Sequence, residues 1–479
     1  MPGNSNAKQN PIIVGLDIGT TKVVAIAGRK NEFGKLEILG FGKADSAGVV
    51  HGMVQNIEEC IRSIHQAIDR CLDSNKKLDI KEVYVGIAGQ HIKSIQTRGD
   101  RVRTNVEDEI SKADVEALIR DQFKTFIPAS DQIIDIIPQD FTVDNSQPVV
   151  NPVGMSGVKI GANFHIITGD KHAIRNIKRC IDKSHLMTRD LVLQPLASAA
   201  AVMNDEDMEA GVVIVDIGGG TTDMAVFHEG ILRHTAVIPY GGVNVTNDIR
   251  QGLGVLKAQA EQMKVQFGSS LAAETNQNAF ITIPGLRGLQ PKEISVRNLS
   301  EIIEARIEEI LDYVVINLKQ VDVLHRLHGG IILTGGGARL KHLAQLTAFK
   351  TGMNVRIGTP NEHLAGGHSK LLEDPMYATC IGLIMRGYND WENGKLQFVG
   401  DGNTEIQDVE TDAAQQEPQP SPLAQVEEEK KKNEQNNPEP EEYKENTETK
   451  QPKEHAKVKN VFNLFKGKFL EMFGDTEEE

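Results

Sequence analysis

After a polar start, two short apolar runs rich in β-branched residues appear at 12–18 (IIVGLDI) and 22–27 (KVVAIA). Gly19-Thr20-Thr21 lies between them, a pattern that predicts a β-hairpin. Residues 35–41 predict a third strand. Over 54–73, Ile57, Ile61, Ile64, Ile68 and Leu72 recur at three- and four-residue spacing, which predicts an amphipathic helix. A strand follows at 82–88. The hairpin pattern then returns. Runs at 211–217 (GVVIVDI) and 223–228 (DMAVFH) flank Gly218-Gly219-Gly220-Thr221-Thr222. A repeat this distant is not a solenoid period and implies two related lobes facing each other. Residues 296–320 predict a long amphipathic helix. Residues 330–334 (GIILT) read as a buried strand running into Gly335-Gly336-Gly337, with helices expected at 339–349 and 376–391.

The periodicity ends near residue 396. Residues 404–456 are mostly Glu, Gln, Asn, Pro and Lys, too polar to bury a core, so 396–456 reads as a disordered linker. As a flexible coil it would span on the order of 40–50 Å. Apolar spacing then resumes over 457–473 (KVKNVFNLFKGKFLEMF). Val458, Val461, Phe462, Phe465, Phe469, Met472 and Phe473 share one helical face, flanked by Lys457, Lys459, Lys466 and Lys468. With no core to join, such a helix suits a membrane interface. A terminal helix docked on the globular part and a helix in a partner's groove are the other options.

Composition sharpens this division. The chain has 479 residues, enough for two to four domains at roughly 100–200 residues each. Its net charge of −15 sits mainly in the tail, because residues 396–456 hold 16 acids against 6 bases. The island 457–473 is basic, with 4 Lys and 1 Glu, and 474–479 closes with 4 acids. No region is basic enough for duplex nucleic acid, and no apolar run reaches the ~18 residues of a transmembrane helix. The first eleven residues lack an apolar signal core, so a non-secreted protein is expected. Cys60, Cys71, Cys180 and Cys380 form no CxxC pair and read as reduced core thiols.

The glycine turns carry the candidate chemistry. A Gly/Thr turn presents backbone N–H groups and hydroxyls to phosphate oxygens without a Cβ in the way. An Asp at the strand end suits Mg²⁺ held through its waters. One such turn is usually only a turn. Two of them, followed by a strand–GGG–helix pattern whose amides could pack under a nucleoside or phosphate, are another matter.

These motifs resemble the actin-like ATPase superfamily. Asp17-Ile18-Gly19-Thr20-Thr21-Lys22 is similar to its first phosphate motif, and Asp216 through Asp223 to its second. Thr334-Gly335-Gly336-Gly337-Ala338-Arg339 resembles the adenosine motif. Ala260-Glu261-Gln262-Met263-Lys264 resembles the AExxK helix, whose Glu261 and Lys264 would lie at the ribose and adenine. Gly241-Gly242 would approach the nucleotide. Within the superfamily, residues 12–395 resemble the bacterial FtsA cell-division family, including Leu193-Gln194-Pro195-Leu196-Ala197-Ser198-Ala199.

The resemblance implies an α/β, two-lobed actin-like fold of duplicated ribonuclease-H-like domains with a family-specific insertion, subdomain 1C. It implies lobe 1 from 12–83, 168–210 and 376–395, subdomain 1C at 84–167, lobe 2 from 211–258 and 329–375, and subdomain 2B at 259–328. Residues 1–11 would be a disordered start. It further implies ATP with Mg²⁺ as cofactors, Asp17 and Asp216 arranging the ion, Lys22 neutralising phosphate charge, and Gln194 placing the attacking water. Gln is a poor base, so at most a slow ATPase is expected.

Membrane contact would run through Phe462, Phe465, Lys466, Lys468, Phe469 and Phe473, at the cytoplasmic face of the plasma membrane and the division septum. Implied partners are the tubulin-like FtsZ, other copies of this chain in a filament, and later division proteins. Arg306 and Glu309 are the exposed candidates for FtsZ docking. A sugar or metabolite kinase of the same superfamily, or a pilus-assembly or rod-shape scaffold, remains open at this point.

Overall fold

The computed structural model describes residues 10–105, 107–284, 290–321, 323–366 and 370–393. The expected linker 396–456, membrane helix 457–473 with its Phe and Lys residues, and acidic end 474–479 lie outside the described residues. So does most of the 1–11 start.

Two five-stranded sheets carry the two repeats. In the first, Met187–Leu193, Glu82–Ile87 and Ile13–Ile18 run parallel, and Lys22–Lys30 and Leu36–Asp45 continue antiparallel. In the second, Val355–Ile357, Gly330–Thr334 and Val212–Ile217 run parallel, and Thr222–His228 and Ile231–Ile238 continue antiparallel. The order and sense of the strands are the same. Strands Ile13–Ile18 and Val212–Ile217 are covered on both faces, so every residue in them is buried, which explains their continuous apolar runs.

The hairpin registers match as well. Asp17 pairs with Val24 and Asp216 with Asp223, so the two turns have equal length. Gly19 N–H donates to the Lys22 carbonyl and Gly218 N–H to the Thr221 carbonyl, each at 2.9 Å. The two Thr-Thr pairs are therefore out of register with each other. The structure equates Lys22 with Thr221.

Helices Ile57–Ser74 and Lys171–Lys183 cover one face of the first sheet. Asn56 caps the former through Glu59 N–H, and Asp170 caps the latter through His172 and Ala173. Helices Gln194–Val202 and Ala378–Glu392 pack against each other where the two lobes meet. Helix Val296–Leu318 backs the second sheet beside Gly242–Leu253 and Lys257–Phe267.

A three-stranded antiparallel sheet, ordered Ile92–Val102, Lys159–Asp170, Asp131–Val143, forms the insertion with helix Lys112–Asp121. Three expected boundaries move. The insertion begins after Ile87 rather than at 84, because Glu82–Ile87 pairs on both sides within the first sheet. Its last strand runs to Asp170, past the expected 167. Helix Lys257–Phe267 begins before residue 259.

The expected helix at 339–349 also shifts. Gly336–Arg339 is a 3₁₀ turn, His342 sits at φ 62°, and the α-helix is Leu343–Thr351. Gly335, at φ 82°, turns the chain close against Asp216 and Ile217, where a Cβ would lie 2.1 Å from Asp216 Oδ1. The triple glycine therefore wraps the end of a strand rather than opening an α-helix.

Candidate functional site

Five separate segments of the second lobe, with the first lobe's glycine turn and Met376, converge on one cleft. Its lining includes Thr21 and Lys22 from the first glycine turn, and Gly218 and Gly219 from the second. Gly242, Glu261 and Lys264 line one wall, and Gly336, Gly337 and Arg339 the other. Val245, Val265, Ile307, Leu340 and Met376 add apolar surface, and Lys341 a further cation.

The wall at Lys264 is fixed by its own bonds. Lys264 Nζ donates to the Gly242 carbonyl and Thr246 Oγ1, each at 2.9 Å, and pairs with Glu261 at 2.8 Å. Thr246 Oγ1 also donates to Glu261. Opposite, Arg339 pairs with Asp374 at 3.3 Å.

Behind the turns lies a group of buried carboxylates. Gln194 Nε2 donates to Asp17 Oδ1 at 2.8 Å. Asp216 Oδ2 accepts from Ser198 Oγ at 2.6 Å and Thr379 Oγ1 at 3.2 Å. Burial pushes the Asp17 carboxyl up to about 6, with Lys22 pulling it down and Asp216 pushing it up. Burial raises Asp216 too, against the Ser198 bond and the Lys22 charge. Asp223 is pushed up to about 8, first by burial and then by Asp216. Its Oδ2 accepts from Thr221 Oγ1 at 2.8 Å, and its Oδ1 has no partner among the described residues. Such a cluster favours an added cation.

Several expected site residues sit at this site without facing the cleft. The Thr221 hydroxyl is spent on Asp223, and buried Thr222 donates to the Tyr240 carbonyl at 2.9 Å. Gly241 packs on Gly218 and Gly219, where a Cβ would lie 2.7 Å from the Gly218 carbonyl. Gly335 packs on Asp216. Gly19 closes its own turn, Thr20 Oγ1 accepts from Gly52 N–H, and the Gly220 carbonyl accepts from His51.

Arg306 differs from its expectation as an open docking residue. It is half-buried, pairs with Asp248 at 2.5 Å, bonds Glu309 and lies over the Tyr240 ring at 5.8 Å. Glu309 is the more exposed of the two. Sequence reasoning passed over Ser198, Thr379, Asp223 as a separate acid, and His51. Thr379 is 163 residues from the carboxylate it holds, and no local pattern marks it.

Duplicated sheets facing across a cleft floored by two equivalent glycine turns define an actin-like protein of the nucleotide-binding type. Similarity to known proteins makes this specific. Residues 213–382 match the family model for cell division protein FtsA, and residues 89–168 match the SHS2 domain inserted in FtsA. The chain is 36% identical over 395 residues to the cell division protein FtsA of Pseudomonas aeruginosa, covering 82% of this chain and 94% of that one. It is 33% identical over 398 residues to that of Escherichia coli, with the same two coverages.

Among solved structures, a PilM–PilN type IV pilus biogenesis complex matches at TM-score 0.55 and 16% identity, over 78% of this chain and 98% of that one. MreB 5 of Spiroplasma citri bound to AMPPNP matches at TM-score 0.51 and 13% identity, over 82% and 99%. These two share the fold. The chain belongs to the FtsA family of cell division proteins.

Proposed function

We propose that this cell-division protein binds ATP with Mg²⁺ in the cleft and assembles into filaments on the cytoplasmic face of the plasma membrane at the septum. There it tethers FtsZ through its C-terminal helix and helps recruit later division proteins. The observation that carries the nucleotide reading is the convergence of Lys22, Gly218, Gly242, Lys264, Gly336 and Arg339 on one cleft. The AMPPNP held by the fold neighbour MreB 5 agrees with it.

Lys22 and the open amides of the two turns would meet phosphate oxygens, and the apolar patch at Val245, Val265 and Ile307 would meet the base. The raised carboxylates fit Mg²⁺, whose charge would favour their ionised forms. Among the described residues no three His, Cys, Asp or Glu side chains converge to hold an ion directly, so Asp17 and Asp216 would act through its waters. The ion would supply charge neutralisation at the phosphates. Gln194, held by Asp17, can orient a water but not deprotonate it, which suits nucleotide binding with slow hydrolysis at most.

The test is Gly336→Asp. A Cβ at Gly336 meets nothing within 4 Å, so the fold tolerates a side chain that places a carboxylate in the cleft. Binding of a fluorescent ATP analogue with Mg²⁺ should be lost while thermal stability is kept. Native affinity in the variant would sink the assignment.

A further inference from the structure

His51 and Gly52 form a turn that touches both glycine turns and the stem of the insertion. Both residues have positive φ, 47° and 75°. Gly52 N–H donates to Thr20 Oγ1 at 3.1 Å. His51 Nδ1 lies 2.9 Å from the Gly220 carbonyl, an acceptor, so Nδ1 carries the proton and donates. One bond therefore reaches each lobe's glycine turn.

On its other side the same turn rests on the chain entering the insertion. A Cβ on Gly52 would lie 2.7 Å from the Ala88 carbonyl oxygen and 2.9 Å from Gly89 Cα. A Cβ on Gly89 would lie 3.0 Å from the His51 carbonyl oxygen. Gly89 sits at φ 128°, a conformation that side-chain-bearing residues rarely adopt. His91 follows, buried at 7% exposure, and neither ring nitrogen has a partner among the described residues. An unpartnered buried imidazole is costly, so the stem gains nothing from His91's own hydrogen bonding.

The two glycine turns also touch. A Cβ on Gly219 would lie 2.5 Å from Thr21 Cγ2, and one on Gly220 would lie 2.3 Å from Thr20 Oγ1. Phosphate groups seated against both turns would press on this contact. Any parting of the turns stretches one or both bonds of the His51–Gly52 turn. The body of the insertion is fastened elsewhere, to the edge strand of the second lobe. His165 Nε2 meets Thr235 Oγ1 at 2.8 Å, Gln139 donates to the Leu232 carbonyl at 2.6 Å, and Arg233 pairs with Asp140 at 2.5 Å. The insertion is thus held at its stem by a turn bonded to both glycine turns, and at its body by the edge strand of the second lobe.

We propose that the His51–Gly52 turn is a latch through which the phosphate end of a bound nucleotide sets the orientation of the insertion. The latch rests on the ATP reading above. In an Asn side chain the amide nitrogen can take the place of His Nδ1, and Asn tolerates positive φ. His51→Asn therefore keeps the latch, and His51→Ala cuts it.

The experiment uses the full chain with spin labels at Lys124→Cys on the insertion and Lys77→Cys on the first lobe. Both sites are exposed, and the four native cysteines are buried. Inter-label distance is read with and without Mg²⁺ and ATP, and binding of a fluorescent ATP analogue is measured in parallel. The expected result is a distance shift in the native and His51→Asn chains that is lost in a His51→Ala chain still binding the analogue. The same shift in His51→Ala, or none in a native chain that binds, overturns the latch alone. A native chain that binds no analogue overturns the ATP reading and the latch with it. If His51→Ala does not fold, amide exchange over 88–92 in the native chain decides. Nucleotide-dependent protection there supports the latch, and unchanged exchange overturns it.

Discussion

Gln194 holds Asp17 by a 2.8 Å hydrogen bond between residues 177 positions apart, joining the start of a helix to the end of the first strand. The donor is an amide, so only one of the two side chains carries charge. Gln194→Glu would set a second carboxylate against a buried one whose pKa is already near 6. Like charges this close cannot both ionise cheaply. The variant is expected to lose about 1–3 kcal/mol in urea unfolding at pH 8. The loss should narrow near pH 5, where the pair shares a proton. An equal loss at both pH values would show that the two side chains do not face each other.

Asp223 makes a second pH prediction, with its sign fixed by the direction of the shift. Its folded pKa of about 8 lies above the ordinary 3.8, so the folded state holds the proton more tightly than the unfolded chain. The stability this proton contributes is complete below pH 3.8 and is lost as pH rises through 8. Across pH 5–7 the native chain should lose up to about 1.4 kcal/mol per pH unit relative to Asp223→Asn, which carries no proton to lose. Denaturant midpoints at three pH values measure this, and parallel curves would refute it.

These carboxylates also mark how far the sequence could be read. The two hairpins were legible because strands buried on both faces must be apolar throughout, which leaves the Asp and Gly residues at 17–19 and 216–220 conspicuous at their ends. Helix Val296–Leu318 was legible from its spacing. The sequence predicts a helix start at the triple glycine, because a strand followed by glycines looks the same whether an α-helix or a 3₁₀ turn comes next. Only the packing of Gly335 and Gly337 on Asp216 and Ile217 decides it. Ser198, Thr379 and the His51 turn act through contacts between distant segments, which local periodicity does not encode. The sequence predicts an open Arg306, since a charged residue on an amphipathic helix gives no sign that it pairs with Asp248 and lies over the Tyr240 ring.

Gly382 is a site where sequence gives little warning and geometry a strong one. A Cβ there would fall 1.7 Å from the Ala197 carbonyl oxygen, backbone that cannot swing aside. Gly382→Ala would gain roughly 1 kcal/mol of helix propensity in isolation. Here it must push helices Gln194–Val202 and Ala378–Glu392 apart, and overpacking of this kind costs about 1–3 kcal/mol or more. A net drop in melting temperature is expected. A variant as stable as the native chain would mean that this crossing yields easily.

The basic island at 457–473 gives a prediction from sequence alone. If the spacing forms the expected helix, Phe465 would fall at the centre of its apolar face, between Phe462 and Phe469. Co-sedimentation of the full chain with anionic vesicles is expected to fail for Phe465→Glu and for truncation before 457, and to weaken in high salt as the lysines are screened. Undiminished binding by the truncated chain would place the membrane contact elsewhere.

FtsZ docking must be tested where the fold is not also at stake. Arg306→Ala would unpair Asp248 and uncover Tyr240, so a lost partner in that variant says little about docking. Glu309 is better suited, since its removal leaves the Arg306–Asp248 pair intact. Glu309→Lys would reverse charge at the surface and press a cation on Arg306, whereas Glu309→Ala only deletes. With a peptide from the FtsZ C-terminus as probe, Glu309→Ala should weaken binding several-fold at unchanged melting temperature. Glu309→Lys should weaken it further, and more so at low salt, where the charge is least screened. Full peptide affinity in both variants would move the docking site away from this part of helix Val296–Leu318.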